Sequence, residues 1–276
     1  MNTHILTTAD GLTLNGYAVP TQGSARANVI LVHGLGDHAG MAHYRDLAQW
    51  LAARGFNVQR FDLRGHGTSQ GKRVFVNAWQ DYRDDLRLCI EHVQRAQSDL
   101  PLFLVGLSMG ALIVIDYVLR CPDGIRGVVT CSPPLGETGA SKVLVSLLGF
   151  LSKVAPATLI DPGLDKNNIT RDARALEGYL ADPLMTLKVT PRLANALLST
   201  AAYARTHAGE LRAPLLLLHG ADDAIANPAG TRAFYQAAGS QDKMLKLYPD
   251  TAHNLFLESV REQVFQDIAD WMTARV

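Results

Sequence analysis

The sequence predicts an α/β fold in which a mostly parallel sheet carries helices on both faces. Short β-rich runs alternate with longer amphipathic stretches along the 276-residue chain, which is the pattern of strand–helix–strand units. Some of the short runs are continuously apolar, as strands are when helices bury both faces of a parallel sheet. The alternation lapses over about residues 133–211. We therefore expect one domain, residues 1–276, with a helical cap inserted between two strands.

The first elements form strand–helix pairs. Residues 28–33 are a continuous apolar strand, and the helix that follows, 41–54, ends at Gly55. After a strand at 56–62, apolar residues recur at steps of three and four over residues 79–93, which places them on one face of a helix. Two strand–helix pairs are therefore expected before residue 100.

The next strand and helix are joined without a linker. The strand at 102–106 leads directly into an apolar helix at 109–120, and a further strand follows at 127–131. The expected cap is helical in pattern and is interrupted by prolines, which break helices. The alternation then resumes with strands at 214–219 and 243–248 and helices at 227–238 and 258–276.

Composition excludes several classes of protein. The chain is 47% hydrophobic and 19% charged, so it can bury a sizeable core and is not disordered. Its 26 Lys and Arg balance 26 Asp and Glu, so we expect no nucleic-acid partner. Three cysteines without a C-x-x-C pair indicate a reducing compartment. Because neither a signal peptide nor a bilayer-length apolar run is visible, we expect a cytoplasmic protein.

A pentapeptide between a strand and a helix indicates a nucleophile. Gly106-Leu107-Ser108-Met109-Gly110 matches G-x-S-x-G, in which a strand turns abruptly into a helix around a strained serine. Only small residues two positions either side avoid collision in that turn. The context of apolar strand and apolar helix favours a catalytic Ser108 over a plain strand–helix turn.

A serine nucleophile needs a base to take its proton and a third group to orient that base. On this architecture an acid and then a histidine follow the serine, each after a later strand. His253, in the loop before the last helix, is the expected base, whereas His219 ends an apolar strand and faces the interior. The acid is one of two neighbours, Asp222 or Asp223, because successive residues of an extended loop point apart. Spacing from Gly220 favours Asp223.

Two backbone N–H groups are expected to form an oxyanion hole, which stabilises the negative charge of the tetrahedral intermediate. One belongs to Met109, directly after the nucleophile and at a helix N-terminus. The other belongs to Leu35, in the glycine-containing loop 33–38 that follows the first predicted strand.

Other interpretations of the glycine-containing loops fail on spacing. Loop 33–38 misses the third glycine of a dinucleotide fingerprint, and the segment around Gly71 lacks two residues of a phosphate loop. We therefore expect no cofactor. The histidines and aspartate of loop 33–38 lack metal-site spacing, so structural roles are favoured and no metal is expected. The turn 64–69 is interpreted as structural, with a place in the site as the alternative.

At this point the residues resemble the serine α/β-hydrolases, and within them the monoacylglycerol lipase and lysophospholipase group, over about residues 8–275. Residues 33–38 are similar to the H-G-x-G-E-H oxyanion loop of that group, and residues 61–71 look like its D-x-x-G-H-G-x-S-x-G stretch. Residues 170–172 and 182–184 resemble two landmarks of its cap. Residues 219–223 match G-x-x-D, which supports the second of the two aspartates.

The resemblance implies an α/β-hydrolase fold with a cap that gates an acyl-binding tunnel, and ester hydrolysis without a cofactor. The sequence departs from the group at two positions. Leu107 stands where a histidine usually precedes the nucleophile, and Asn227 stands where an acid is common.

An apolar stripe lies in the expected cap, at Val143, Leu144, Leu147, Leu148 and Leu151. It either packs against the sheet or stays partly exposed and takes acyl chains from micelles or membrane surfaces. The leading hypothesis is a two-step carboxylic ester hydrolase that acts on monoacylglycerols, lysophospholipids or similar lipophilic esters.

Two alternatives to that hypothesis stay open. The same site on this fold can serve a thioesterase, a peptidase or a hydrolase of carbon–carbon bonds. The chain could also be a non-catalytic ligand-binding protein that keeps the hydrolase shape. The sequence leaves the oligomeric state and the acyl chain length undetermined.

Overall fold

The computed structural model describes residues 2–97, 99–136 and 142–276, and it has the expected α/β architecture. Its strands are β1 (Asn2–Thr7), β2 (Thr13–Val19), β3 (Ala27–Val32), β4 (Phe56–Phe61), β5 (Leu102–Leu107), β6 (Gly127–Cys131), β7 (Leu215–Gly220) and β8 (Lys243–Tyr248). They form one sheet in the order β1-β2-β4-β3-β5-β6-β7-β8. The pairs β1–β2 and β2–β4 are antiparallel, and all other neighbours are parallel.

The N-terminal hairpin β1–β2 is not predicted by the apolar pattern, which places the first strand at residue 28. The hairpin lies at the edge of the sheet, where polar residues face solvent. Leu6 is the buried residue of β1, and Leu14 and Gly16 are those of β2. A strand pair with so few buried positions gives a weak sequence signal, because the signal comes from burial.

Eight α-helices accompany the sheet in the described part of the chain, and the bounds of the five that lie outside the segment between β6 and β7 are close to the predictions. The eight are α1 (Ala42–Ala52), α2 (Gln80–Ala96), α3 (Met109–Arg120), α4 (Lys142–Val154), α5 (Ala173–Leu180), α6 (Pro191–Thr206), α7 (Pro228–Ala237) and α8 (Arg261–Thr273). The last helix begins three residues later than predicted. Glu258 belongs to the preceding loop, where its buried carboxylate accepts hydrogen bonds from the N–H groups of Ala252 and Arg171.

Helices cover both faces of the sheet, as the continuously apolar strands predict. In β3, Ile30 and Val32 join a core that includes α2 and α3, while Val29 and Leu31 join a second core with α1 and α8. Every residue of β3 is buried. Burying both faces fixes the parallel strands, and their carboxyl ends therefore meet along one well-defined edge.

The segment between β6 and β7 is helical, as the lapse in the alternation predicts. It contains α4, α5 and α6, of which α6 packs against both α3 and α4. A bridge between Ile160 and Val189 closes a loop within it. Over the ranges given above, no helix reaches both the length and the apolar character that crossing a bilayer would take.

The apolar stripe of α4 is largely exposed. Val143, Leu144 and Leu147 are exposed, and Leu148 and Leu151 are half-buried. Of the two alternatives, the partly exposed stripe therefore describes the structure.

Candidate active site

Ser108 lies in the strained turn that the G-x-S-x-G spacing predicts. Its backbone has φ 53° and ψ −117°, a conformation that costs a non-glycine residue energy and is found mainly at functional sites. A Cβ on Gly106 would overlap the backbone of Gly110, and a Cβ on Gly110 would overlap the backbone of Val32 and His33. The two glycines are therefore sterically required. The turn leaves the serine side chain at the C-terminal edge of the sheet.

His253 is brought within hydrogen-bonding distance of the serine. Its Nε2 lies 2.9 Å from the Ser108 Oγ, which donates to it. The histidine loop is held at three points, since Ser132 Oγ donates to the His253 carbonyl at 2.7 Å and the N–H groups of His253 and Asn254 donate to the carbonyls of residues 168 and 169. These contacts fix the imidazole although it is carried by a loop.

Asp223 completes a hydrogen-bonded chain of three side chains. Its Oδ2 accepts from His253 Nδ1 at 2.7 Å, while its Oδ1 accepts from the backbone N–H groups of Ile225 and Ala226, both at 2.8 Å. Burial by itself would raise the pKa of Asp223, but electrostatic attraction to the His253 ring and hydrogen bonds from His219 and His253 outweigh it. The pKa of this carboxyl therefore lies well below its usual range, and the group is an anion.

The alternative acid, Asp222, points elsewhere. Its Oδ2 pairs with the Arg171 guanidinium at 2.8 Å, and both side chains are about half exposed. The two neighbouring carboxylates thus point apart, as expected of successive residues in an extended loop. Of the two candidates, Asp223 is the one that meets His253.

The two predicted oxyanion donors flank Ser108 in the same cavity. Leu35 and Met109 both line it, and neither backbone N–H has a hydrogen-bond partner in the described part of the chain. The neighbouring N–H of Gly34 is already occupied, because it donates to the Tyr44 hydroxyl at 2.9 Å. Two unoccupied N–H groups beside a serine hydroxyl form the arrangement that can stabilise an oxyanion.

Comparison with known proteins identifies the family. The model of the serine aminopeptidase S33 family matches residues 23–260. The chain belongs to this family.

Individual relatives of this S33 chain include lipid ester hydrolases. It is 33% identical over 253 residues to the monoacylglycerol lipase of Mycolicibacterium smegmatis, covering 91% of this chain and 89% of that protein. It is 32% identical over 269 residues to the monoglyceride lipase of Homo sapiens, covering 94% and 86%. The crystal structure of Paleococcus ferrophilus monoacylglycerol lipase superposes with a TM-score of 0.87 at 29% identity, covering 100% of both chains.

These matches confirm the resemblance to the monoacylglycerol lipase group and its α/β-hydrolase fold. The chain is a serine hydrolase of the carboxylesterase type.

The two sequence departures have structural counterparts. Leu107 is a buried residue at the end of β5. Asn227 caps α7 by accepting from the N–H of Ala229 at 2.9 Å.

The site of this S33 hydrolase opens into an apolar cavity of about 520 Å³. Its walls include residues from the segment between β6 and β7 as well as from the strand-end loops. The apolar lining includes Leu35, Val145, Leu187, Leu197, Leu198 and Ile225. Asp37 is the one carboxylate, and Arg205 the one permanent cation, among the lining residues that the structure describes. An uncharged, elongated group suits such walls.

Asp37 links the oxyanion loop to the helical segment, which the sequence does not reveal. Its Oδ2 accepts from the Tyr44 hydroxyl and its Oδ1 from the Tyr179 hydroxyl, both at 2.5 Å. Tyr44 in turn holds the Gly34 N–H. Tyr179 comes from α5 and is 142 positions away in the chain, so no local pattern could have indicated it. A second link joins the N–H of residue 186 to the Gly36 carbonyl at 3.0 Å.

The turn 64–69 contributes no residue to this cavity and is held by structural contacts. Arg64 forms a buried ion pair with Asp85, and the carboxylate of Asp62 accepts from the N–H groups of Thr68 and Ala39.

The histidines of loop 33–38 likewise have protein partners. His33 accepts from the Leu63 N–H. Across residues 2–97, 99–136 and 142–276, no group of His, Cys, Asp or Glu is placed to hold a metal ion.

Three fully buried histidines make the fold sensitive to acid. Burial lowers the pKa of His33, His43 and His66 to about 3 from an ordinary value of 6.5. Below pH 6.5 the unfolded chain therefore binds protons that the folded chain does not. The free energy of unfolding therefore decreases as the pH is lowered. Each histidine should remove about 2 kcal/mol of unfolding free energy between pH 7.5 and pH 5.

Urea unfolding at pH 7.5 and pH 5.0 measures this loss. We expect the free energy of unfolding to fall by about 1 kcal/mol from pH 7.5 to 6.5 and more steeply below pH 6.5. The variant His43→Gln should have a shallower slope than the wild type, because it removes one of the three buried histidines. Equal stability at pH 7.5 and pH 5.0 would contradict the burial argument.

Proposed function

We propose that this chain hydrolyses monoacylglycerols and similar lipophilic esters through an acyl-enzyme formed on Ser108. The observation that carries the proposal is the continuous hydrogen-bonded chain from Ser108 through His253 to Asp223, which opens into an apolar cavity. Each of the three side chains follows a different strand of the same sheet.

The chemistry proceeds in two halves. His253 Nε2 takes the proton as Ser108 Oγ attacks the ester carbonyl, and Asp223 stabilises the resulting imidazolium through Nδ1–H. The N–H groups of Leu35 and Met109 hold the oxyanion. When the carbon–oxygen bond breaks, His253 gives its proton to the leaving alcohol. Water, deprotonated by the same imidazole, then attacks the acyl-enzyme and releases the fatty acid and the free serine.

The lining of the cavity favours a long apolar acyl group. Each methylene transferred from water to such a wall contributes about 0.8 kcal/mol, so affinity should rise with chain length until the cavity is filled. The relatives of this chain that are named for monoacylglycerol hydrolysis support the same substrate class. Lysophospholipids share the acyl group and differ in the alcohol.

The family description names an aminopeptidase, which makes peptide hydrolysis the second candidate function. A free amino terminus needs an available carboxylate. The carboxylate lining the cavity, Asp37, already accepts from two tyrosine hydroxyls, one on each oxygen. Both carboxylate oxygens of Asp37 are therefore already engaged and are poorly available to an incoming ammonium group. This favours an ester over a peptide as the substrate.

A panel of substrates tests the proposal. Initial rates are compared for monoacylglycerols of graded chain length, a short soluble ester, an acyl thioester and a peptide with an N-terminal proline. Every rate is measured beside Ser108→Ala to subtract contaminants. We expect kcat/KM to be highest for a monoacylglycerol. Preference for the thioester or the peptide would overturn the assignment, and inactivity on all of them would favour a ligand-binding role.

We also propose that the helical segment, expected at about residues 133–211, acts as the cap of a single domain and contacts lipid surfaces through α4. Val143 is 78% exposed and Phe150 is 60% exposed, and Val145 of the same helix lines the cavity. This apolar face, α4 from Val143 to Val154, connects the lipid surface with the site. The cytoplasmic location stays a prediction, and so does the absence of a cofactor or nucleic-acid partner.

The double variant Val143→Ser/Phe150→Ser tests the lipid contact. We expect about tenfold weaker co-sedimentation with phosphatidylcholine vesicles, since two large apolar side chains no longer leave water. Hydrolysis of a short soluble ester should be unchanged. Ile5→Ser is the matched control, because Ile5 is 65% exposed on the distant edge strand β1. Wild-type vesicle binding by the double variant would overturn the proposal.

A further inference from the structure

A second histidine touches the same carboxylate oxygen as His253. His219 is the penultimate residue of β7 and is completely buried. Its Nε2 lies 3.0 Å from Asp223 Oδ2 and 2.7 Å from the Ala226 carbonyl oxygen, and its Nδ1 lies 2.8 Å from Thr231 Oγ1. The ring therefore has a partner on each nitrogen.

The partners determine which ring nitrogen carries the proton. Both groups facing Nε2 are acceptors, a carboxylate and a carbonyl, so Nε2 must donate. Nδ1 is then free to accept, and the Thr231 hydroxyl is the group that can donate to it. Thr231 is fully buried in α7, so the ring is fixed from the side opposite Asp223.

With His219 included, the carboxylate of Asp223 has four donors. Ile225 and Ala226 donate to Oδ1, and the two histidines share Oδ2. A carboxylate with two donors on each oxygen has one orientation that satisfies all of them. The donor from His219 also joins Asp223 to the loop carbonyl of Ala226, which closes the strand-end loop on itself.

We propose that His219 is a positioning residue that aims the Asp223 carboxylate at His253, an inference that rests on the proposed Ser108–His253–Asp223 mechanism. It acts in two ways. It prevents rotation of the carboxylate, so that Oδ2 stays in line with His253 Nδ1–H. It also withdraws part of the negative charge on Oδ2, which limits how strongly Asp223 stabilises protonated His253.

Loss of His219 should therefore change both the rate and its pH dependence. Without the His219 donor, only Oδ1 is held by the protein around it, so the carboxylate orients His253 less well, which lowers kcat. A carboxylate with one donor fewer favours the imidazolium more strongly, which moves the acid limb of kcat/KM to higher pH. Asp37 and the buried Glu258 also lie near His253, and the variants leave both residues unchanged.

The test compares His219→Leu with His219→Gln, using hydrolysis of a soluble ester. Leucine fills the space without a donor. Glutamine keeps an N–H for Asp223 and an oxygen that accepts from Thr231. For the leucine variant we expect kcat to fall about tenfold at nearly unchanged KM, with the acid limb about half a pH unit higher. The glutamine variant should stay within about threefold of wild type.

A purely structural role would give a different result. A folded leucine variant with wild-type kcat and an unshifted acid limb would overturn the proposal, as would a glutamine variant as impaired as the leucine one. If His219→Leu does not fold, Thr231→Val removes the donor to Nδ1, and unchanged kcat in that variant overturns it. Failure of the proposed function itself would appear separately, as wild-type hydrolysis that persists in Ser108→Ala.

Discussion

Replacing Ser108 by alanine should lower kcat by about 10⁴-fold or more, because the members of a catalytic triad act as one unit. The substitution removes one oxygen and leaves the Cβ in place, so the turn between β5 and α3 keeps its conformation. KM should change little, since the cavity walls are untouched. The residual rate reports what binding and the two N–H groups achieve alone.

The matched control for this variant is Ser199→Ala. Ser199 is exposed on α6, and its hydroxyl donates only to a backbone carbonyl of its own helix. It should retain wild-type turnover. More than about one tenth of wild-type kcat in Ser108→Ala would show that the nucleophile lies elsewhere.

Replacing Asp223 by asparagine should cost about 10³- to 10⁴-fold in kcat, and the backbone explains why. The N–H groups of Ile225 and Ala226 require an oxygen at the Oδ1 position. The asparagine amide N–H₂ must then occupy the Oδ2 position, where it faces His253 Nδ1. His253 is forced to put its proton on Nε2, and it can no longer accept one from Ser108.

Asp222→Asn is the matched control, since it makes the same chemical change one residue away. Asp222 pairs with Arg171 at the surface, and exposed pairs of this kind contribute at most about 1 kcal/mol to stability. Its activity should match wild type within about twofold. The kcat of both variants is measured on a short soluble ester. A larger loss of kcat in Asp222→Asn than in Asp223→Asn would show that Asp222, and not Asp223, is the acid.

Local steric rules explain what the sequence predicts well. The turn at Ser108 is indicated by two glycines at which an added Cβ would overlap backbone atoms. The geometry of the turn is therefore determined by a segment of five residues. The parallel strands are indicated by continuous apolar runs, because both of their faces are buried. Asp223 and His253 follow from the fixed chain order of acid and base on this architecture.

What the sequence leaves out depends on partners distant in the chain or on exposure. The bond between Asp37 and Tyr179 joins residues of two separate segments, and no spacing rule connects them. The burial of His219 is predictable from its apolar strand, but its contact with Asp223 requires the loop to fold back. An exposed apolar stripe has the same helical periodicity as a stripe that packs in the core. Periodicity alone therefore could not decide whether the α4 stripe is exposed or buried.

The most direct test of the mechanism is the rate of covalent labelling by a fluorophosphonate, with the modified residue located by peptide mass spectrometry. The probe reacts with serine hydroxyls that a neighbouring base activates. In the wild-type protein we expect a single adduct on Ser108, and in His253→Ala we expect its formation to slow by about 10²-fold or more. Labelling of Ser108 at the same rate in both proteins, or its absence from the folded wild type, would contradict the account.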